Sequence, residues 1–134
     1  MALDLSQLAK KISRDPFAKF MGIHLLELRE GYSKLMMKAK KDMLNFHGTM
    51  HGGAVFSLAD AAFAAASNSH GVQAVALTME INYRIGVKSG STLYAEAKEE
   101  SLGRRTGLYH MTVTNEKGEL VASCHGTVYR KEES

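Results

Sequence analysis

Residues 52–68 read Gly-Gly-Ala-Val-Phe-Ser-Leu-Ala-Asp-Ala-Ala-Phe-Ala-Ala-Ala-Ser-Asn, an apolar run with one carboxylate near its middle. Alanine and leucine favour a helix, and a helix that is apolar on every side has to be covered on every side. The run lacks the polar face it would need to lie on the outside of a sheet. Either a sheet wraps around it or a second copy of the chain closes over it. Asp60 is the exception within the run. No Lys or Arg lies three or four residues away to pair with it, and an unpaired carboxylate in a core is strongly destabilising. Asp60 is therefore expected to be buried and to be used.

The flanking segments supply the sheet. Leu5, Leu8, Ala9 and Ile12 recur at helical spacing and predict a short amphipathic helix within residues 1–15, ending before Asp15-Pro16. Residues 16–130 read as the core of a single domain. Within it, residues 23–29 and 32–39, divided by Glu30-Gly31, form a hairpin pattern. A polar loop over 40–50 leads into the long helix. After Gly71, the residues Val75, Leu77, Met79, Ile81 and Tyr83 recur with a strict period of two. Leu93, Ala95 and Ala97 mark a further strand, as do Tyr109, Met111 and Val113. The last strand, Leu120 to Tyr129, returns after the Asn115–Gly118 turn. Strands adjacent in sequence with helices to one side make this an α+β chain built on an antiparallel sheet.

At 134 residues, the chain is long enough to bury roughly two thirds of its unfolded surface in one core. A lone cysteine, Cys124, has no partner for an intramolecular disulfide, which predicts a reducing, cytoplasmic setting. The first twenty residues lack the apolar centre of a signal peptide, and no stretch reaches the ~20 apolar residues of a membrane span. The formal net charge of +3 comes from scattered basic residues, with no stripe of the kind nucleic acids require. Neither a membrane nor a nucleic acid is expected as partner.

Asn45-Phe46-His47-Gly48-Thr49-Met50-His51-Gly52-Gly53 runs directly into the apolar helix. Glycines at a helix entrance admit close approach to the backbone, and the free first-turn N–H groups carry the positive end of the helix dipole. Such an entrance accepts an anion, including the oxyanion formed when an ester or thioester carbonyl is attacked. Gly52 and Asp60 are eight residues apart, about 12 Å along a helix at 1.5 Å per residue. One carbonyl cannot touch both within one copy. Two antiparallel helices across a twofold axis remove the difficulty, so a functional reading of both residues predicts a homodimer with two shared sites.

The pattern Asn45-x-His47-Gly48-Thr49-x-His51-Gly52-Gly53, continued by Ser57-Leu58-Ala59-Asp60 and Asn68-Ser69, resembles the hotdog-fold acyl-CoA thioesterases of the phenylacetate-pathway (PaaI-like) type. The likeness spans residues 16–130 and takes in Leu102–Gly107 and Gly126. It implies a long helix wrapped by a five- to six-stranded antiparallel sheet, in homodimers that pair as dimers of dimers. It further implies Asp60 as nucleophile or general base and the Gly52 N–H as the group polarising the thioester carbonyl. Asn45 would help hold substrate or water, His51 would steady the loop, and Thr78 would place a hydroxyl near the attacking water. Gly53, Lys88, Arg104 and Arg105 become candidates for binding the coenzyme A portion. Coenzyme A belongs to the substrate, and neither a metal nor a further cofactor is expected. The chain departs from many relatives at Ile85-Gly86, where a strand-ending Arg-Pro is common.

Each residue also has a plainer reading. Asp60 is a structural carboxylate satisfied by Ser57 or by donors across an interface; Gly52 and Gly53 allow close packing; Asn45 shapes a turn. Arg104, Arg105 and Lys88 are solvated surface charges, and Thr78 is an ordinary strand residue. His47 and His51 stand four apart, but Gly48 between them argues against a helical metal site and no Glu accompanies them. His24, His70, His110 and His125 have no evident partner in sequence. Two rivals to hydrolysis remain. A hotdog hydratase or dehydratase usually carries a proline-rich loop, whereas the one proline here is Pro16. A non-catalytic acyl-CoA sensor would gain nothing from a carboxylate beside a thioester.

Overall fold

A computed structural model describes residues 3–131. Six strands form one antiparallel sheet in the order β1-β2-β4-β5-β6-β3: β1 His24–Arg29, β2 Tyr32–Lys38, β3 Gln73–Tyr83, β4 Thr92–Leu102, β5 Thr106–Asn115 and β6 Leu120–Lys131. The long helix α3, Gly52–Ser67, lies in the curve of this sheet. The fold is the expected hotdog, with two short helices, α1 Leu5–Ser13 and α2 Pro16–Met21, ahead of the first strand. Among the described residues, no helix is long and apolar enough to cross a membrane.

The sheet can wrap α3 because small residues meet along the contact. Leu58, Ala59, Ala62 and Ala66 of α3 have no exposed surface, and Ala95, Ala97, Ala122 and Cys124 of the sheet match them. Phe63 fills the middle, its ring against Tyr109 at 5.8 Å between centroids. Gly126 on β6 makes room for it, because a Cβ there would lie 2.7 Å from the Phe63 ring. Replacing Gly126 by Ala forces the ring or the strand to move, and the expected cost is about 1–3 kcal/mol of unfolding free energy, measurable by denaturant titration.

Polar groups inside the wrap are tied to backbone. Buried Ser33 donates to the Ala62 carbonyl at 2.6 Å. At the end of α3, the Asn68 amide donates to the Ala64 and Ala74 carbonyls, and its oxygen accepts from the Ala74 N–H at 2.9 Å. Asn68 thus joins the helix terminus to the start of β3, on the far edge of the sheet.

Two expectations are corrected here. Asp15-Pro16 ends α1, but it also starts α2: Asp15 caps the Ala18 N–H and Pro16 occupies the first helical position, where its missing donor costs nothing. The strict alternation over 75–83 is broken by a bulge between Ala76 and Thr78. Ala74 is buried before the bulge, while Met79 and Ile81 pack on the core after it. Val75 and Leu77 are left 37% and 57% exposed on an edge strand.

Candidate active site

The sheet does not close completely around α3. Gly53, Ser57, Asp60, Ala61, Ala64 and Asn68 fall at helical spacing on the one face it leaves uncovered. Asp60 is therefore not buried in the protomer, contrary to expectation. Its helix is apolar enough to need cover, yet the carboxylate sits where the cover is missing. The stripe borders a cavity of about 680 Å³ roofed by α1, α2 and β1, with Leu8, Ile12, Phe17, Ile23 and Leu25 among its apolar lining. Partial desolvation by these neighbours raises the Asp60 pKa above its ordinary 3.8. Ser57, the partner of the plainer reading, instead donates to the Gly53 carbonyl at 2.8 Å. Among the described residues, Asp60 accepts no hydrogen bond and forms no ion pair.

At the helix entrance, His51 is the N-cap and its Nδ1 accepts the Gly53 N–H at 2.9 Å. That bond requires the ring nitrogen to be unprotonated, and it uses up the Gly53 donor. The His51 carbonyl accepts from Ala54 and Val55. The Gly52 N–H alone in this turn has no partner among the described residues. Sequence reasoning passed over Tyr83, whose hydroxyl donates to the Gly52 carbonyl at 2.9 Å and whose ring would lie 3.1 Å from a Cβ at position 52. The ring covers one side of Gly52 and holds the turn against the end of β3.

The loop before the helix is folded around Asn45. Its side-chain oxygen faces the N–H groups of His47 and Thr49 at 2.9 and 3.3 Å. This is the turn-forming role of the plainer reading; the side-chain nitrogen carries no bond among the described residues. His47 packs at a 39° tilt against the 93%-exposed Phe46 rather than joining His51.

Thr78, Arg104 and Arg105 lie apart from this entrance, whereas Lys88 adjoins it through Val87, whose carbonyl accepts from the Met50 N–H at 2.8 Å. Thr78 pairs with Thr127, and their hydroxyls bond at 2.7 Å. Because the neighbouring Gly126 faces Phe63, Thr127 and Thr78 lie on the outer face of the sheet, opposite α3. Lys88 is exposed in the loop after β3. Arg104 and Arg105 occupy the β4–β5 turn at the other end of the sheet from Gly52, since Tyr83 pairs with Ala122 while Thr106 pairs with Tyr129. Arg105 reaches the Tyr129 hydroxyl at 3.3 Å, and Arg130 holds the turn through the Gly103 carbonyl at 2.8 Å. His70 has a partner after all in Glu99, at 2.7 Å. Cys124 is core, its thiol pushed up to about 11 by burial.

The chain is similar to proteins of one family. The Thioesterase superfamily profile matches residues 47–122, which include the end of the loop, α3 and the strands after it as far as the start of β6. The Escherichia coli acyl-coenzyme A thioesterase PaaI is 39% identical over 116 residues, covering 87% of this chain and 83% of that protein. The solved structure of E. coli PaaI, from the phenylacetic acid degradation operon, superposes with a TM-score of 0.90 at 35% identity, covering 98% of this chain and 99% of that one. A Streptococcus mutans protein solved with acetyl CoA bound is 30% identical with a TM-score of 0.80, over 83% of this chain and 90% of that one. The chain belongs to the thioesterase superfamily, as a hotdog-fold thioester hydrolase.

Proposed function

We propose that the protein hydrolyses a small acyl- or aryl-CoA thioester to the free acid and coenzyme A, in two sites shared across a homodimer. The observation that carries this reading is the pairing, on one helix, of an N–H at Gly52 and a carboxylate at Asp60 on the uncovered stripe, both without a partner among the described residues. The thioester carbonyl lies against the helix entrance, where the Gly52 N–H takes the negative charge developing on oxygen. Asp60 of the other protomer removes a proton from the attacking water, and the tetrahedral intermediate collapses with departure of the coenzyme A thiolate. If Asp60 instead attacks the carbonyl directly, the thiolate leaves and a mixed anhydride forms. Water entering at its Asp60 carbonyl then leaves ¹⁸O in Asp60 and an unlabelled Asp60 oxygen in the free acid after a single turnover in ¹⁸O-water, whereas general-base hydrolysis labels the acid alone. His51 holds the entrance rigid and Asn45 shapes the loop, offering its amide nitrogen to substrate or water.

The acyl portion has an apolar place to go in the cavity beneath α1 and α2. Coenzyme A is supported as the carrier by PaaI and by the acetyl CoA bound to the S. mutans relative. In a head-to-tail pair, the Arg104-Arg105 turn of one copy comes to the same end as the Gly52 entrance of the other, where coenzyme A phosphates would meet it. We give Thr78 no step, because it lies on the opposite face and already bonds Thr127. A cytoplasmic location and pairing of dimers into tetramers belong to the same reading. It is tested by following free thiol from short, long and aryl acyl-CoAs: turnover of at least one series is expected, and tight binding without turnover across all of them would favour a sensor.

The edge strand is the surface that pairs the copies in this reading. Among the described residues, β3 has a neighbouring strand only on its β6 side, and Val75 and Leu77 stand exposed along it. An unprotected apolar edge invites another strand. Replacing Val75 and Leu77 together by Lys should convert the protein to monomers in sedimentation and abolish turnover with them, while the protomer keeps its circular-dichroism spectrum.

A further inference from the structure

The outer face of the sheet carries a group of side chains that thioester hydrolysis does not use. His110 on β5 and His125 on β6 pair directly across the strands, their rings stacked 4.4 Å apart and 6° from parallel. Glu100 on β4 joins them. A bulge between Glu99 and Ser101 interrupts the β4–β5 register there, so Glu99 can bond inward to Tyr109 while Glu100 turns outward to His125, 3.9 Å away. The three residues present ligand atoms that all lie within 4.8 Å of one another. On the other side, Glu80 of β3 is the register partner of His125 and shares its face.

We propose that Glu100, His110 and His125 form a binding site for a divalent transition-metal ion of the zinc type, with Glu80 or water completing the coordination. Two imidazoles and a carboxylate are a donor set suited to zinc, nickel or copper(II), and too poor in oxygen for calcium or magnesium. Ligands at 2.0–2.2 Å from a tetrahedral ion are about 3.3 Å from one another. The 3.9 Å between His125 and Glu100 therefore has to close by about 0.6 Å, the remaining separations, all within 4.8 Å, by up to about 1.5 Å, and the two parallel rings have to turn about their side-chain bonds so that both nitrogens face one ion. His110 is steadied by Ser123 Oγ at 2.9 Å from its Nε2, the kind of outer contact that orients a metal-ligating ring. Lys98, opposite His110 in the register, contributes a charge but no ligand. Because the donors come from β4, β5 and β6, the ion clips three strands together. It lies across the sheet from α3, so its role is structural or regulatory and not in the hydrolytic step.

The test uses tag-free, chelator-treated full-length protein titrated with zinc chloride by calorimetry, with the melting temperature followed in parallel. One ion per chain is expected, with a melting temperature that rises with the logarithm of zinc concentration. The His110→Asn/His125→Asn pair should weaken binding by about 100-fold or more, beyond the 10- to 100-fold typical of outer-shell changes. The His24→Asn/His47→Asn pair, which removes two histidines outside the cluster, should bind as the parent does. Should the double variant fail to fold, the exposed Glu100→Gln change supplies the same readout with a smaller loss. Absence of binding in the parent protein would overturn the proposal, as would binding that survives removal of the ligands.

Discussion

Asp60→Asn is expected to lower kcat by about 10²–10⁴-fold, the usual contribution of a positioned general base, with little change in KM. The substitution is nearly isosteric and sits on a half-solvated helix stripe, so the fold should survive it. The stability of the variant has a definite sign. The folded protein raises the Asp60 pKa above 3.8, so it binds more protons than the unfolded chain between 3.8 and the raised value. Unfolding free energy therefore falls as pH rises through that window, and Asp60 is fully compatible with folding only below it. An asparagine at this position has no such titration. Thermal melts should show Asp60→Asn gaining on the parent as pH is raised through the window, while parent turnover rises over the same interval as the carboxylate ionises. Gain of stability with loss of activity is the signature of a group kept for chemistry.

The second large effect comes from the other half of the site. Gly52 is the first residue of α3, and the preceding His51 has an extended backbone, φ −60° and ψ 135°. Proline is well tolerated at the first helical position and accepts an extended residue before it. Gly52→Pro therefore removes the N–H while leaving the helix start intact, apart from a few tenths of an ångström at the Tyr83 ring, 3.1 Å from the new Cβ. Loss of one oxyanion donor costs about 10²–10³ in kcat, and steady-state kinetics on the best acyl-CoA should record it. A Gly52→Ala control retains the N–H with the same contact to Tyr83. If Ala and Pro are equally damaging, crowding explains the loss and the donor role fails.

These two positions were legible in the sequence because each breaks a strong local rule: a carboxylate in an alanine-rich run and paired glycines at a helix entrance. The wrapped helix and the two hairpins were legible for the same reason, since period and turn chemistry agree along them. What escaped depends on contacts far apart in the chain. Tyr83 looked like one more apolar residue of a period-two strand, because nothing local reveals that its hydroxyl meets the carbonyl of Gly52, 31 residues earlier. The exposure of Asp60 escaped as well: composition says that the helix needs cover but not which stripe the sheet leaves open. His110, His125 and Glu100 had no partners in sequence because strand register alone brings them together. Two local signals point the wrong way: Asp15-Pro16 reads as a stop when it is also a start, and the alternation over 75–83 hides the bulge between Ala76 and Thr78.

The claim beneath all of this is that each site draws its carboxylate from one protomer and its amide from the other, and mixed dimers test it directly. Asp60→Asn and Gly52→Pro proteins, each nearly inactive alone, are unfolded together and refolded at equal ratio. In a twofold dimer with shared sites, every heterodimer places both lesions in one site and leaves the other intact, so random pairing should restore about a quarter of the parent activity. Activity that stays at the level of the separate variants, despite heterodimers shown by native mass spectrometry, would mean that Gly52 and Asp60 do not meet across the twofold axis.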